Sequence, residues 1–176
     1  MIILFLVEEE SLESSLPHLL KKIKKKKIIR LKSMESRDVK KVINLIQINP
    51  ADKAIILTDS ECKKFEVMQN ILKPIEIKIS RAVRIPVFYV PIICMLETWL
   101  LADNESLSNY LSIKIPTILP AGIKHDDYLE SLFRQAGKKR HYKKTVEAPL
   151  IAQRVNPIKI ARRSPSFDYL LQCIEK

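Results

Sequence analysis

Glycine is nearly missing from this chain, with 2 in 176 residues. Lysine and isoleucine are abundant throughout, a composition that fits a genome-wide bias or a thermophile's preference for Lys and Glu. Cysteine is sparse as well: Cys62, Cys94 and Cys173 are far apart and odd in number. No pair has the spacing of a zinc knuckle, and no disulfide framework is expected, so the pattern reads as a reducing, intracellular protein. His18, His125 and His141 are equally scattered. Long apolar runs are lacking too. The longest, VFYVPIICML, contains Pro91 and falls well short of the ~20 residues that span a bilayer. The opening MIILFLVEEE is short and runs into three acids. A secretory signal carries basic residues first and small residues at its end. These absences predict a cytoplasmic protein with no membrane segment.

What is present is enough apolar material for a core, 47% of residues, in a length that suits one domain. The net charge of +11 points toward anionic partners, nucleic acid first among them. The lysine-rich bias accounts for the same charge without any partner.

The first half alternates between two periods. IILFLV is a continuous apolar run, as in a strand buried on both faces. Leu12, Leu16, Leu19, Leu20 and Ile23 then recur at helical spacing. KIIRLK is a second strand, and Ser36 is the expected N-cap of a helix carrying Val39, Val42, Ile43 and Ile46. KAIILT is a third strand ending at Asp59. Phe65, Met68 and Leu72 mark a third helix, expected to stop at Pro74, and RIPVFYVPII is a fourth extended segment. The order β-α-β-α-β-α-β predicts a parallel sheet with right-handed crossovers.

Beyond residue 93 the pattern is helical. CMLETWLLAD is a helix, with Asn104 expected to cap the next one. DDYLESLFRQAG is a helix closed by Gly137 at C′. GKKRHYKK is a basic loop, TVEAPLIAQRV is helical from Ala148, and SPSFDYLLQCI starts with Ser164 as N-cap and Pro165 at N1. The division expected is an α/β core over 1–93 and a helical extension over 94–176 packed on it, together making one structural domain.

Glu8 ends the first strand, while Asp59 and Glu61 follow the third. In a doubly wound sheet of order 2-1-3-4, strands one and three are neighbours, and ligands bind at the carboxyl ends where the order reverses. Carboxylates gathered there raise one another's pKa unless a cation is present. Hard oxygen donors at that density suit Mg²⁺ or Mn²⁺. The same acids also precede helices, where negative charge is favoured without any metal.

Three segments carry a resemblance to a known group. VEEESLESSLPHLL, LETWLLAD at 96–103, and HYKKT with ARRSPSF are similar to the signatures of an uncharacterised prokaryotic family of Toprim-like proteins. That family is marked by Glu-x-x-Trp-Leu-Leu-Ala-Asp and is often found beside ATPases. The Toprim module is the catalytic part of DNA primases, of topoisomerases and of certain nucleases. The sequence departs from the family pattern at Glu9, where a glycine is usual, and at Glu61, where the acid pair is usually Asp-x-Asp.

The resemblance implies a four-stranded parallel sheet of order 2-1-3-4 flanked by helices. It also implies roles. Asp59 and Glu61 would hold Mg²⁺ or Mn²⁺, and Glu8 would act as general acid/base or as a further ligand. Glu97 and Asp103 would complete the acidic cluster, but six residues apart on one helix they do not share a face, and Glu97 is the better candidate. Lys138, Lys139, Arg140, Lys143 and Lys144 would neutralise phosphates, with Tyr142 interleaved for stacking and Arg162 and Arg163 added to the same surface. A lysine-rich loop is also an ordinary solvated surface. Trp99 reads as core. The function implied is metal-dependent phosphodiester hydrolysis on DNA or RNA, in defence or repair. The rival is a non-catalytic scaffold binding an ATPase or nucleic acid. A receiver-like phosphotransfer domain fits less well, because no matching lysine follows the fourth strand.

Overall fold

The computed structural model describes residues 1–21, 23, 26–31, 35–60, 62–118, 124–137 and 141–176. A four-stranded sheet is built from β1 (Ile3–Val7), β2 (Lys26–Arg30), β3 (Lys53–Asp59) and β4 (Val87–Ile92). Its order is β2-β1-β3-β4 and every pairing is parallel. The parallel α/β arrangement is the one the alternating pattern predicted, and the 2-1-3-4 order is the one the resemblance implied.

The continuous apolar strands are explained by two covered faces. Side chains alternate across a strand, so Ile3, Phe5, Val7, Ile55, Leu57, Val90 and Ile92 face one core, while Leu4, Leu6, Ala54, Ile56, Val87 and Tyr89 face the other. The second core is closed by α2 (Val39–Ile48) and α3 (Phe65–Val83), through Val42, Ile46, Met68, Leu72 and Ile79. The first and larger core is closed by α1 (Glu10–Leu19) and by the helices of the second half: α4 (Leu96–Ala102), α5 (Asn104–Leu111), α6 (His125–Gln135), α7 (Lys144–Ala152), α8 (Pro157–Arg163) and α9 (Pro165–Glu175). Trp99, Phe133 and Phe167 lie in this core with Phe5 and Ile55. Trp99 meets Phe167 edge to face at 4.9 Å between ring centroids and donates its indole N–H to Ser166 Oγ at 2.8 Å. The helical half therefore shares its core with the sheet. Among the described residues, no helix is long and apolar enough to cross a membrane.

Several local expectations are corrected. The helix marked by Phe65 does not stop at Pro74 but continues to Val83. Met68, Leu72, Glu76 and Ile79 are buried at 4, 4 and 3 spacing, and that continuous packed stripe outweighs the one backbone bond the proline removes. Ser36 does not cap α2. It lies in a short 3₁₀ turn, Glu35–Arg37, and Asp38 accepts from the Lys41 amide instead. Likewise Asp103, not Asn104, caps α5, accepting from the Ser106 amide. The helix expected from Ala148 begins at Lys144. A short helix, α8, was not anticipated although Asn156 and Pro157 supply the same start signal as Ser164 and Pro165. Finally, Cys62 and Cys94 are joined by a disulfide, with Cα atoms 4.0 Å apart. Parallel pairing of β3 with β4 brings together two loops that the sequence separates by 32 residues. The expectation that no two cysteines are paired is thereby corrected.

Candidate carboxylate crevice

Parallel register sets the site. Val7 of β1 pairs with Leu57 of β3, so the chain leaves both strands at one level, and Asp59 pairs with Ile92 of β4. Glu8, Glu9 and Asp59 consequently line one cavity of about 160 Å³ at the carboxyl ends of the strands. Its apolar wall is Leu12 of α1 with Leu57, Ile92, Met95 and Leu96. This is the point where the strand order reverses, the usual ligand position in such sheets.

Alternation also sorts these acids. The Glu8 carboxylate turns toward the α2 side, where it accepts from the Ser36 amide at 3.1 Å and lies 3.5 Å from Thr58 Oγ1. Ser36 Oγ donates to Thr58 Oγ1 at 2.9 Å, and the Tyr89 hydroxyl donates to the Ser36 carbonyl at 2.5 Å. Burial, and then the charges of Glu8 and Glu76, push the Tyr89 phenol well above its ordinary value, so it remains a donor that fixes the turn holding Glu8. Sequence reasoning missed this: Ser36 looked like a cap, and no local pattern announces that its amide serves an acid 28 residues away.

On the other side, Glu9 is joined to the second half. Lys144 Nζ lies 2.8 Å from Glu9 Oε2 and 3.3 Å from Glu97 Oε2. Glu97 is wholly buried. Its Oε1 accepts from the Tyr142 hydroxyl at 2.8 Å, while its Oε2 makes no hydrogen bond among the described residues and lies 3.3 Å from the Lys144 ammonium. Burial pushes the Lys144 ammonium down, but Glu9 and Glu97 outweigh it and the net shift is upward. Burial, then Glu97, raises the Tyr142 phenol as well. The Tyr142 ring packs on Phe133 at 5.6 Å, and its amide donates to Glu130 Oε2 at 2.6 Å. Glu130 also meets His141 Nδ1 at 2.8 Å, and these contacts hold its carboxyl below the ordinary range.

The remaining candidates divide as follows. Asp103 is buried away from the crevice network; besides capping α5 it accepts from the Asn156 amide at 2.8 Å, and Lys159 lies 4.0 Å away. Arg163 reaches the Ala102 carbonyl and Asn104 Oδ1, while Arg162 is exposed beside it on α8. Lys143 is exposed just before α7. Glu61, Lys138, Lys139 and Arg140 lie outside the described residues.

Among the described residues, no group of three or more His, Cys, Asp or Glu side chains converges tightly enough to enclose a metal ion. Mg²⁺ does not require such an enclosure. It keeps several waters and is commonly held by one or two carboxylates with phosphate oxygens completing the shell. Oxygen donors on the walls of an open crevice fit an ion held in that way.

No curated protein and no solved structure matches the chain. A family does, described as Domain of unknown function (DUF4276), and it covers residues 7–175. With nearly the whole length matched, the chain belongs to that family.

Proposed function

We propose that the crevice binds a divalent cation and catalyses phosphodiester hydrolysis on nucleic acid, in the manner of a Toprim nuclease. The observation that carries this reading is the convergence of Glu8, Glu9 and Asp59 on one cavity at the reversal point of a parallel sheet. Asp59, with Glu61, would hold Mg²⁺ or Mn²⁺. The ion would supply a Lewis acid for a phosphoryl oxygen and for charge on the leaving oxygen. Glu8, oriented by Ser36 and Thr58, would hold or move a proton at its carboxylate. The apolar wall of Leu12, Leu57, Ile92 and Leu96 excludes water from one side of the reacting group. Lys144 offsets the negative charge of Glu9 and Glu97, so that a phosphate meets a less repulsive site.

One observation favours a second reading. Lys144 already supplies Glu9 and Glu97 with a cation. A protein that carries its own counter-ion can keep the fold as a scaffold for an ATPase partner or nucleic acid without metal chemistry. Cleavage of single- and double-stranded DNA and RNA in Mg²⁺ and Mn²⁺, compared with Asp59→Asn, separates the two. Metal-dependent cutting lost in the variant supports the nuclease. Nucleic-acid binding without cutting, unchanged by Asp59→Asn, moves the assignment to the scaffold.

A further inference from the structure

We propose that Cys62 and Cys94 form a redox-operated clasp on the crevice, opened by small thiols and closed by small disulfides. As a means of controlling the site, the clasp rests on the reading of the crevice given above. Its mechanical part stands on the geometry alone.

Cys62 follows β3 just beyond Asp59, and Cys94 follows β4 just before Met95 and Leu96. Asp59, Met95 and Leu96 all line the cavity. The bond therefore ties the segment that follows Asp59 to the segment that leads into Met95 and Leu96, beside the cavity. Two hydrogen bonds run in parallel with the bond: the Ser60 amide donates to the Ile92 carbonyl at 3.1 Å, and the Cys94 amide donates to Ser60 Oγ at 3.3 Å. Both cysteines are held in the left-handed region, at φ 61° and 65°. Non-glycine residues stay in that region only when their surroundings over-determine it. Removing one of these restraints lets both loops return toward ordinary backbone angles.

Access distinguishes this bond from a buried staple. Cys62 is exposed and Cys94 half-buried. An incoming thiolate attacks the Cys62 sulfur, forming a mixed disulfide there and releasing Cys94 as thiolate. A second thiolate attacks the mixed disulfide, releasing Cys62 and forming the small disulfide. Two protons end on the protein thiols, so two small thiols are oxidised as the protein bond is reduced. Reversal with a small disulfide recloses the clasp. Cys173 does not interfere. It is wholly buried under the opposite end of the sheet, where its carbonyl accepts from Lys53 at the start of β3.

The test compares protein oxidised by a small disulfide, the same protein reduced and desalted without oxygen, Cys62→Ser and Cys94→Ser. Hydrogen exchange is followed by mass spectrometry in all four. Residues 59–60, 62–64 and 92–96 should exchange at least tenfold faster in the reduced protein than in the oxidised one. Both variants should match the reduced protein and ignore reductant. Cleavage in Mn²⁺ should differ at least threefold between the two redox states of the wild type, and not at all in the variants. Equal exchange in both states overturns the clasp. So does alkylation of Cys62 and Cys94 in the disulfide-treated native protein, which would show the bond does not form. Exchange that responds while both states cleave equally overturns its control of the site. Exchange that responds while neither state cleaves supports the clasp and removes only the nuclease reading.

Discussion

Replacing Lys144 by methionine keeps the unbranched apolar stem of the side chain and deletes the charge between Glu9 and Glu97. At 3.3 Å from Glu97 Oε2, the gross attraction is about 5 kcal/mol at an effective dielectric of about 20. Glu97 is wholly buried, and among the described residues its Oε2 makes no hydrogen bond and has Lys144 as its ion-pair partner. Breaking such a pair from one side costs about 3–5 kcal/mol. Lys144 is itself 31% exposed, so water screens part of the interaction and about 2–3 kcal/mol is the expected loss. Urea unfolding monitored by Trp99 fluorescence reads it as a lower midpoint at unchanged slope. The double variant Lys144→Met/Glu97→Gln should recover at least about 1 kcal/mol relative to the sum of the single changes, because the uncompensated charge is gone. A Lys144→Met protein within about 0.5 kcal/mol of wild type, or strict additivity in the double variant, would refute the argument. The pair also sets a pH limit. Lys144 and Tyr142 both have folded pKa values raised above their unfolded ones. Their contribution is complete below the unfolded values, about 10 for Tyr and 10.4 for Lys. It is lost as pH rises through the folded ones. Stability should therefore fall on the alkaline side, and Tyr142→Phe with Lys144→Met should flatten that fall.

Three further substitutions probe the polar contacts that hold the fold together. Lys53→Met removes two 3.0 Å bonds from a buried ammonium to the Cys173 and Ile174 carbonyls; a loss of about 1–2 kcal/mol is expected, with faster amide exchange confined to the end of α9. Glu76→Ala leaves the buried Tyr89 amide without its 3.0 Å acceptor; about 1–3 kcal/mol should be lost on urea unfolding, and Glu76→Gln, which keeps an acceptor, should lose less than half of that. Asp103→Ala removes the α5 cap and the acceptor of the Asn156 amide and should cost about 1–3 kcal/mol, measured the same way, while Asp103→Asn, whose one amide oxygen can serve only one of those two amides, should cost less and leave any Mn²⁺-dependent cleavage unchanged. If Asp103→Asn abolished cleavage as Asp59→Asn should, the separation of Asp103 from the crevice would be disproved.

Glu9 has a role in three dimensions that its place in the sequence does not show. In the fold it shares Lys144 with Glu97. The start of α1 is thereby tied to the start of α7. Tyr142 shows the same kind of change. Its aromatic ring is packed on Phe133 and its hydroxyl is spent on Glu97, so the features that suggested base stacking serve to hold a buried carboxylate.

Alternation of strands and helices was enough to determine the parallel sheet, because hydrophobic period and crossover handedness are local properties of the chain. The order 2-1-3-4, which makes the strands that end at Glu8 and Asp59 neighbours, came from the family resemblance and not from the alternation. Helix termini were less legible. Pro74 is a strong local stop, yet a packed stripe carries α3 past it. Ser36 is a good cap by type, yet its amide and hydroxyl are drawn to Glu8 and Thr58. Only the tertiary structure decided the pairing of Cys62 with Cys94 and the assembly of Glu9, Glu97, Tyr142 and Lys144. Those contacts join residues 32 to 135 positions apart. No periodicity reaches across such distances, and the groups meet because parallel pairing and two covered faces bring their elements to one end of the sheet.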